Sequence, residues 1–313
     1  MLIPCYNEAA SIGAVVRDFR DALPQATIFV YDNNSSDDTV ALARAAGAVV
    51  GHEALQGKGN VVRRMFADIE ADIYVMVDGD GTYDAAAAPG LVAVLAAERL
   101  DMVNGSREVA GDAAFRAGHR IGNFILSLLI GKVFGNRIRD TLSGYKIFSR
   151  RFVKSFAAHA NGFDLEPELV VHALELGMPV REIATRYGVR PPGSSSKLRT
   201  VRDGFRVLST IGVLIKEERP LPFFSWIFLM FAAISLLLSV PIIQTYSETG
   251  LVPRFPTAIL ATGIMLLGFI SLACGLVLDT VTRGRRELKR MQYLSIPALP
   301  AAEGDRAKLN CPV

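Results

Sequence analysis

Tryptophan occurs once in this chain, at Trp226, and cysteine only at Cys5, Cys274 and Cys311. Three cysteines, odd in number and far apart, with no C-x-x-C spacing, support neither a disulfide framework nor a zinc site and favour a reducing compartment. Cys5 reads as a small buried residue. Histidine is as sparse: His52, His119, His159 and His172 show no paired ligand spacing. Net charge is only +3, so the whole molecule makes no case for a nucleic-acid partner. The start lacks a basic region followed by a long apolar one, so no signal peptide is expected. A P-loop is missing as well. Gly51 to Gly59 comes near it, but five residues precede Gly57-Lys58, and Gly59 stands where Ser or Thr is needed. A dinucleotide fingerprint fails because Asp84 occupies the place of the third glycine after Gly79 and Gly81.

What the chain has in excess is apolar character. Apolar residues make up 50% and mean hydropathy is +0.30, which points to a segment in lipid. Phe223 to Ile243 and Phe255 to Leu278 carry no charge, and each reaches the ~20 residues that a membrane span needs. The loop between them holds Glu248 and Arg254. Arg181 to Arg219 has nine Lys/Arg against four Asp/Glu, and Asp279 to Arg290 has five against two. The positive-inside rule then places both flanks, and both termini, on the cytoplasmic side of a membrane hairpin. Leu198, Val201, Phe205, Leu208, Ile211 and Ile215 recur at helical spacing beside Arg199, Arg202 and Arg206, the pattern of a helix lying on an anionic leaflet. Ile121 to Phe134 is apolar on most sides but too short to span, so it fits a core or an interfacial helix.

The first hundred residues alternate between strand and helix periodicity. A strand remnant ends at Pro4, short enough that the true start is expected upstream. Ser11 is a plausible N-cap for a helix carrying Ile12, Val15, Val16 and Phe19. Strands follow at Thr27 to Tyr31, Ala48 to Val50, Ile73 to Val77 and Leu100 to Asn104, with helices over Thr39 to Ala46 and Val61 to Ile69. This order predicts an α/β fold, a mostly parallel sheet covered by helices on both faces. Polar clusters at Tyr6 to Glu8, Asp32 to Asp38 and Asp78 to Asp84 each follow a strand, so they should meet at the carboxyl edge, where such sheets bind ligands. Asp78 and Asp80, two apart and set among glycines, can aim at one hard divalent cation with phosphate oxygens. Glu166 and Glu168 read as first-turn carboxylates of a helix over Phe163 to Leu176.

Pro4-Cys5-Tyr6-Asn7-Glu8, Asp32 to Thr39, Asp78-Gly79-Asp80, Arg139 to Lys146 and Ser196-Lys197-Leu198 together resemble the family-two, GT-A glycosyltransferases. Within them the chain is similar to the polyprenyl-phosphate glycosyltransferases, which include dolichyl-phosphate mannose synthase. The likeness covers about Leu2 to Ile215. It implies a GT-A (Rossmann-like) catalytic domain over 1–195; hydropathy and charge add a juxtamembrane amphipathic helix over 196–220, a two-span hairpin over 221–280 and a basic cytoplasmic tail over 281–313. It also implies that Asp78 and Asp80 hold Mg²⁺ or Mn²⁺ against a nucleotide diphosphate, and that Pro4, Tyr6, Asn7, Glu8 and Asp32 line the nucleoside pocket. Asp140 matches the aspartate at the reacting centre, with Asp80 and Arg107 as its catalytic companions. Arg107 and Arg120 match basic positions that grip an acceptor phosphate, and Lys58, Ser143 and Lys197 complete the substrate-binding set. Thr82 stands where some members carry a metal-binding glutamine, which leaves a third protein ligand open.

The activity so implied is inverting transfer of a hexose from a nucleotide sugar to polyprenyl phosphate, undecaprenyl or dolichyl, at the cytoplasmic face of the inner membrane. A UDP-hexose is favoured over GDP-mannose. The implied partners are the sugar donor, the lipid acceptor, membrane lipid and a second copy of the chain through the hairpin. Two alternatives stand beside it: a catalytically silent, membrane-anchored nucleotide-sugar-binding subunit, and another family-two enzyme of cell-envelope glycan synthesis. A processive polysaccharide synthase is disfavoured, because the one tryptophan lies in a span and no Q-x-x-R-W motif exists.

Overall fold

Short apolar runs separated by amphipathic stretches build a layered α/β unit. The computed structural model describes residues 1–109, 127–128, 131, 138–156, 165–190, 212–213, 216 and 219–299. Two compact units divide the chain: Met1–Leu208 with Lys289–Val313, and Ser209–Leu288.

In the first unit the order is β1 (Leu2–Cys5), α1 (Ile12–Ala22), β2 (Phe29–Asp32), α2 (Thr39–Ala45), β3 (Val49–His52), α3 (Lys58–Asp68) and β4 (Ile73–Met76). Then come α4 (Ala88–Ala97), β5 (Met102–Val109), β6 (Lys146–Ser149), α5 (Arg150–Ser155), α6 (Leu165–Glu175) and β7 (Val180–Tyr187). The seven strands form one sheet in the order β3-β2-β1-β4-β6-β5-β7. Every neighbouring pair is parallel except the two that involve β6, which runs against β4 and β5. The carboxyl ends of β4, β5 and β7 and the amino end of β6 therefore share one edge.

Strand alternation sends successive side chains to opposite faces. Ile3, Cys5, Val75, Val77, Val103, Tyr145 and Ile147 pack on one face with α1 and α4. On the other, Phe148 stacks on Phe152 of α5 and meets Phe66 of α3 edge-on. Helix α1 buries Ile12, Val15, Val16 and Phe19, as its spacing predicts, and each such side chain contributes about 1.5–3 kcal/mol by leaving water. Ser11 occupies its N-cap position, but the side chain makes no cap bond. Its hydroxyl donates to the Gly79 carbonyl at 2.7 Å, tying α1 to the acidic turn after β4.

The second unit holds α7 (Pro220–Thr249) and most of α8 (Phe255–Ser295). Both are long and apolar enough to cross a membrane. Only 6% and 17% of their most apolar windows is buried, whereas core helices of a soluble protein would be mostly covered. They pack antiparallel through small residues. A Cβ on Gly275 would lie 2.8 Å from Phe224 Cβ, and Ser235 Oγ donates to the Ala261 carbonyl at 2.7 Å. The last turns of α8 belong to the first unit, where Tyr293 OH donates to the buried Asp101 carboxylate at 2.7 Å. The amphipathic helix expected over 198–215 lies outside the described residues except for Gly212 and Val213. The segment 121–134 does so except for Ser127, Leu128 and Gly131.

Candidate active site

Three loops leave the sheet at the carboxyl ends of β1, β2 and β4 and are laced together by side-chain bonds. Asn7 sits at φ 51°, a left-handed conformation that asparagine tolerates better than most residues. Its N–H donates to Ser35 Oγ at 2.8 Å, and its Oδ1 accepts from Ser36 N at 2.8 Å. Glu8 N donates to Thr39 Oγ1 at 2.8 Å. Pro4 and Glu8 are buried, while the Tyr6 ring is 38% exposed at the mouth. Asp32, at the end of β2, is 4% exposed; its Oδ2 accepts from Ser35 N at 3.2 Å and lies 3.5 Å from His52 Nδ1. Its other oxygen, Oδ1, is buried without a hydrogen-bond partner among the described residues.

The acidic pair follows β4. Asp80 is buried, and both its oxygens are engaged: Oδ1 accepts from Thr82 Oγ1 at 2.6 Å, and Oδ2 pairs with Arg190 Nη2 at 2.7 Å. Asp78 Oδ1 pairs with Lys58 Nζ at 2.5 Å, and the same ammonium donates to Glu166. Burial alone would lower the Lys58 ammonium, but the charges of Asp78 and Glu166 outweigh it and hold its pKa above the ordinary lysine value. Among the described residues no group of three or more His, Cys, Asp or Glu side chains could hold a metal ion. Asp78 and Asp80 thus offer two carboxylates of their own. The remaining oxygens around a hard cation would have to come from a ligand or water.

Across the crevice, the chain enters β6 through the turn at Asp140. Arg107 of β5 grips that carboxylate with a fork: Nε to Oδ2 at 2.8 Å and Nη2 to Oδ1 at 2.8 Å, with its own N–H reaching Oδ2 at 3.1 Å. Burial would raise the Asp140 pKa, but the guanidinium overrides it and holds the carboxyl below the usual range. Arg107 lies over the Tyr187 ring, 5.5 Å from its centroid. Ser143 is fully buried, and its hydroxyl donates to the Gly105 carbonyl at 2.5 Å, so the structure places it in the hold on the turn.

The two carboxylate turns meet at Gly144. A Cβ there would lie 2.3 Å from Asp78 Oδ2, and Gly144 N donates to Tyr83 OH at 2.7 Å. Pro4, Tyr6, Asn7, Glu8, Asp32, Lys58, Asp78, Asp80, Arg107, Asp140 and Ser143 therefore border one sheet edge. Arg120 and Lys197 lie outside the described residues. Glu166 does stand in the first turn of α6, as its spacing predicts, but it is also the buried partner of Lys58. Sequence reasoning did not single out Arg190, Tyr83, Asn104 or Glu182, since none belongs to a motif of fixed spacing.

A family model described as glycosyl transferase family 2 matches residues 1–156. Glycosyltransferase AglJ of Haloferax volcanii is 32% identical over 298 residues, covering 94% of this chain and 97% of its own. The chain belongs to glycosyl transferase family 2. A second relative of this transferase, named dolichyl-phosphate hexose transferase, also from Haloferax volcanii, is 26% identical over 214 residues, 68% of this chain and 92% of that one. Among solved structures, glucosyl-3-phosphoglycerate synthase of Mycobacterium tuberculosis, in complex with Mn²⁺, UDP and glucosyl-3-phosphoglycerate, superposes with a TM-score of 0.56. It is 23% identical, and the match covers 69% of this chain and 77% of that one, a likeness that speaks to the GT-A fold of the transferase.

Proposed function

We propose that this transferase moves a hexose from a nucleotide diphosphate sugar to a polyprenyl phosphate, with inversion at the anomeric carbon. The observation that carries the reading is the meeting of Asp78 with the Asp140 turn at Gly144, which sets a donor-diphosphate site beside an arginine-bearing one.

On this reading Asp32 Oδ1, buried and without a partner among the described residues, accepts an N–H of the nucleobase, and Tyr6, Asn7 and Glu8 close the nucleoside pocket. Asp78 and Asp80 would hold Mg²⁺ or Mn²⁺, which when bound neutralises the charge on the leaving diphosphate. Lys58 releases Asp78 and Arg190 releases Asp80 as the donor enters, and both cations then face its phosphates. One oxygen of the acceptor phosphate attacks C1, the C1–O bond to the diphosphate breaks, and the nucleoside diphosphate leaves. A phosphomonoester has a second pKa of ~6, so the nucleophile is ionised at neutral pH and needs little base catalysis. Asp140, already bound by Arg107 on both oxygens, serves as charge partner to that arginine and does not take a proton.

A UDP-hexose is favoured because the structural neighbour holds UDP, with GDP-mannose second. The lipid acceptor is favoured by two observations: the exposed apolar helices α7 and α8, and the name of the dolichyl-phosphate relative. The basic flanks of these helices favour a site on the cytoplasmic face of the inner membrane, and the reading keeps the domain limits expected from the sequence.

The test incubates the detergent-solubilised full chain with undecaprenyl or dolichyl phosphate and radiolabelled UDP-glucose, UDP-N-acetylglucosamine or GDP-mannose. Label should enter the organic phase from one donor, only with Mg²⁺ or Mn²⁺ present, and Asp80→Ala should abolish the transfer. Unchanged transfer by Asp80→Ala would overturn the catalytic reading, and a retained anomeric configuration would overturn the single displacement.

A further inference from the structure

Four residues stand side by side across four adjacent strands. Register pairs Met76 of β4 with Lys146 of β6, Lys146 with Asn104 of β5, and Asn104 with Glu182 of β7. Tyr145 and Ile147 point to the face covered by α1 and α4, so Lys146 between them points to the opposite face, together with Asn104. The row ends two residues short of Asp78 on one side and directly beneath the Asp140 turn on the other.

Its polar atoms are arranged in one direction. Lys146 Nζ, fully buried, donates to Asn104 Oδ1 at 2.5 Å. That bond leaves the Asn104 amide nitrogen facing the turn, where it donates to the Asp140 carbonyl at 2.9 Å and to Glu182 Oε1 at 2.9 Å. The Glu182 carboxylate then accepts two backbone N–H bonds: Asp140 N to Oε1 at 3.0 Å and Arg139 N to Oε2 at 2.9 Å. Asp140 is thus held through its own N–H and C=O from below, while Arg107 holds its carboxylate from the side.

We propose that Glu182 is a positioning residue for the transfer step, fixing the Asp140 turn so that Arg107 presents its guanidinium at one place in the crevice. Only a carboxylate suits the job. It offers acceptors on both oxygens, and among the described residues the three groups bonded to it are N–H donors. In Glu182→Gln one of those oxygens becomes an NH₂ that confronts a donor, and the turn must shift to relieve the clash. A displacement of about 1 Å at a reacting group costs on the order of a hundredfold in rate. The nucleoside pocket proposed at the ends of β1 and β2 is separated from β7 by three strands or more in the sheet order, so the grip on the nucleoside should stay as it was.

The inference rests on the transfer reading above, and the experiment separates the two. The full chain in detergent is assayed with UDP-glucose, UDP-N-acetylglucosamine and GDP-mannose, using the donor that gives product with undecaprenyl phosphate. UDP affinity is measured by titration in Mn²⁺. Glu182→Gln should lower kcat by about a hundredfold, with donor KM and UDP affinity within about twofold of wild type. Asn104→Ser, which removes both Nδ2 donations and the amide acceptor of Lys146 but keeps the Glu182 carboxylate, should show the same split. A kcat for Glu182→Gln within about threefold of wild type overturns the proposal. If Glu182→Gln loses UDP binding, Asn104→Ser decides: loss of UDP binding there too, or an unchanged kcat, makes the row a fold element and overturns the proposal. Transfer that survives Asp80→Ala sinks the transferase mechanism itself, whereas a dead Asp80→Ala beside an intact Glu182→Gln sinks only this inference.

Discussion

Gly144 lies so close to Asp78 that any side chain there would occupy the carboxylate's place, with a Cβ 2.3 Å from Oδ2. Gly144 does not have a positive φ, so the constraint is one of space and not of backbone conformation. Gly144→Ala should fold normally, because the atom it strikes is the end of a side chain and not backbone. It should force Asp78 aside and reduce transfer by about a hundredfold. Initial rates, set against UDP affinity and thermal melting of the same protein, check this. A wild-type rate would mean that Asp78 can turn away without consequence.

Asp80 carries a cation of the chain in Arg190, at 2.7 Å. A divalent ion entering at the acidic pair has to displace that guanidinium, at the cost of one charge-assisted bond of ~1.5 kcal/mol. Arg190→Gln should therefore tighten Mn²⁺ binding in the absence of nucleotide by about tenfold. Arg190→Lys, which keeps the charge, should fall between. Calorimetric titration with Mn²⁺ measures it directly, and equal affinities for wild type and Arg190→Gln would show that Asp80 does not hold the ion.

His172 sits in an aromatic pocket against Phe152 and Phe156, with Ser155 Oγ 3.1 Å from its Nε2. Burial, then the Lys289 charge, lower its pKa to about 3. The unfolded chain binds this proton near pH 6.5. A depressed pKa makes the contribution to stability complete above that value and lost as pH falls towards 3. His172→Phe should flatten the acid arm of the stability curve by one proton over that window, read from chemical denaturation at stepped pH. An unchanged slope would place the proton uptake elsewhere.

Much of the first half of the fold was legible, because β1 to β4 are apolar runs of ordinary pattern and their helices show one-sided apolar spacing. Boundaries moved by a few residues; β2, for instance, covers Phe29–Asp32 and not Thr27 to Tyr31. β5 was read from Leu100 to Asn104, but β6 and β7 were not legible as strands. β6 is only four residues long and begins with Lys146, a residue that belongs to the interior only once Asn104 is beside it. β7 carries Arg181, Glu182 and Arg186 along the sheet edge, where one side of the strand is wet. The same cause hid the Glu182 row: its members lie 28 or more residues apart, and only cross-strand register brings them together. The motif residues were visible because a sharp turn keeps its carboxylates and glycines adjacent in sequence. Arg190 and Glu166 were not, since they reach the acidic pair through space alone.

Since β6 runs against both its neighbours, the chain leaves the sheet at Val109 and returns at Lys146 along one margin, with both anchor points held in register. Residues could be added to or taken from the intervening stretch while Asn104 stays opposite Lys146. On the proposed reading, the side bordered by Arg107 and Asp140 can diversify among relatives while the loops after β1, β2 and β4 keep their shape.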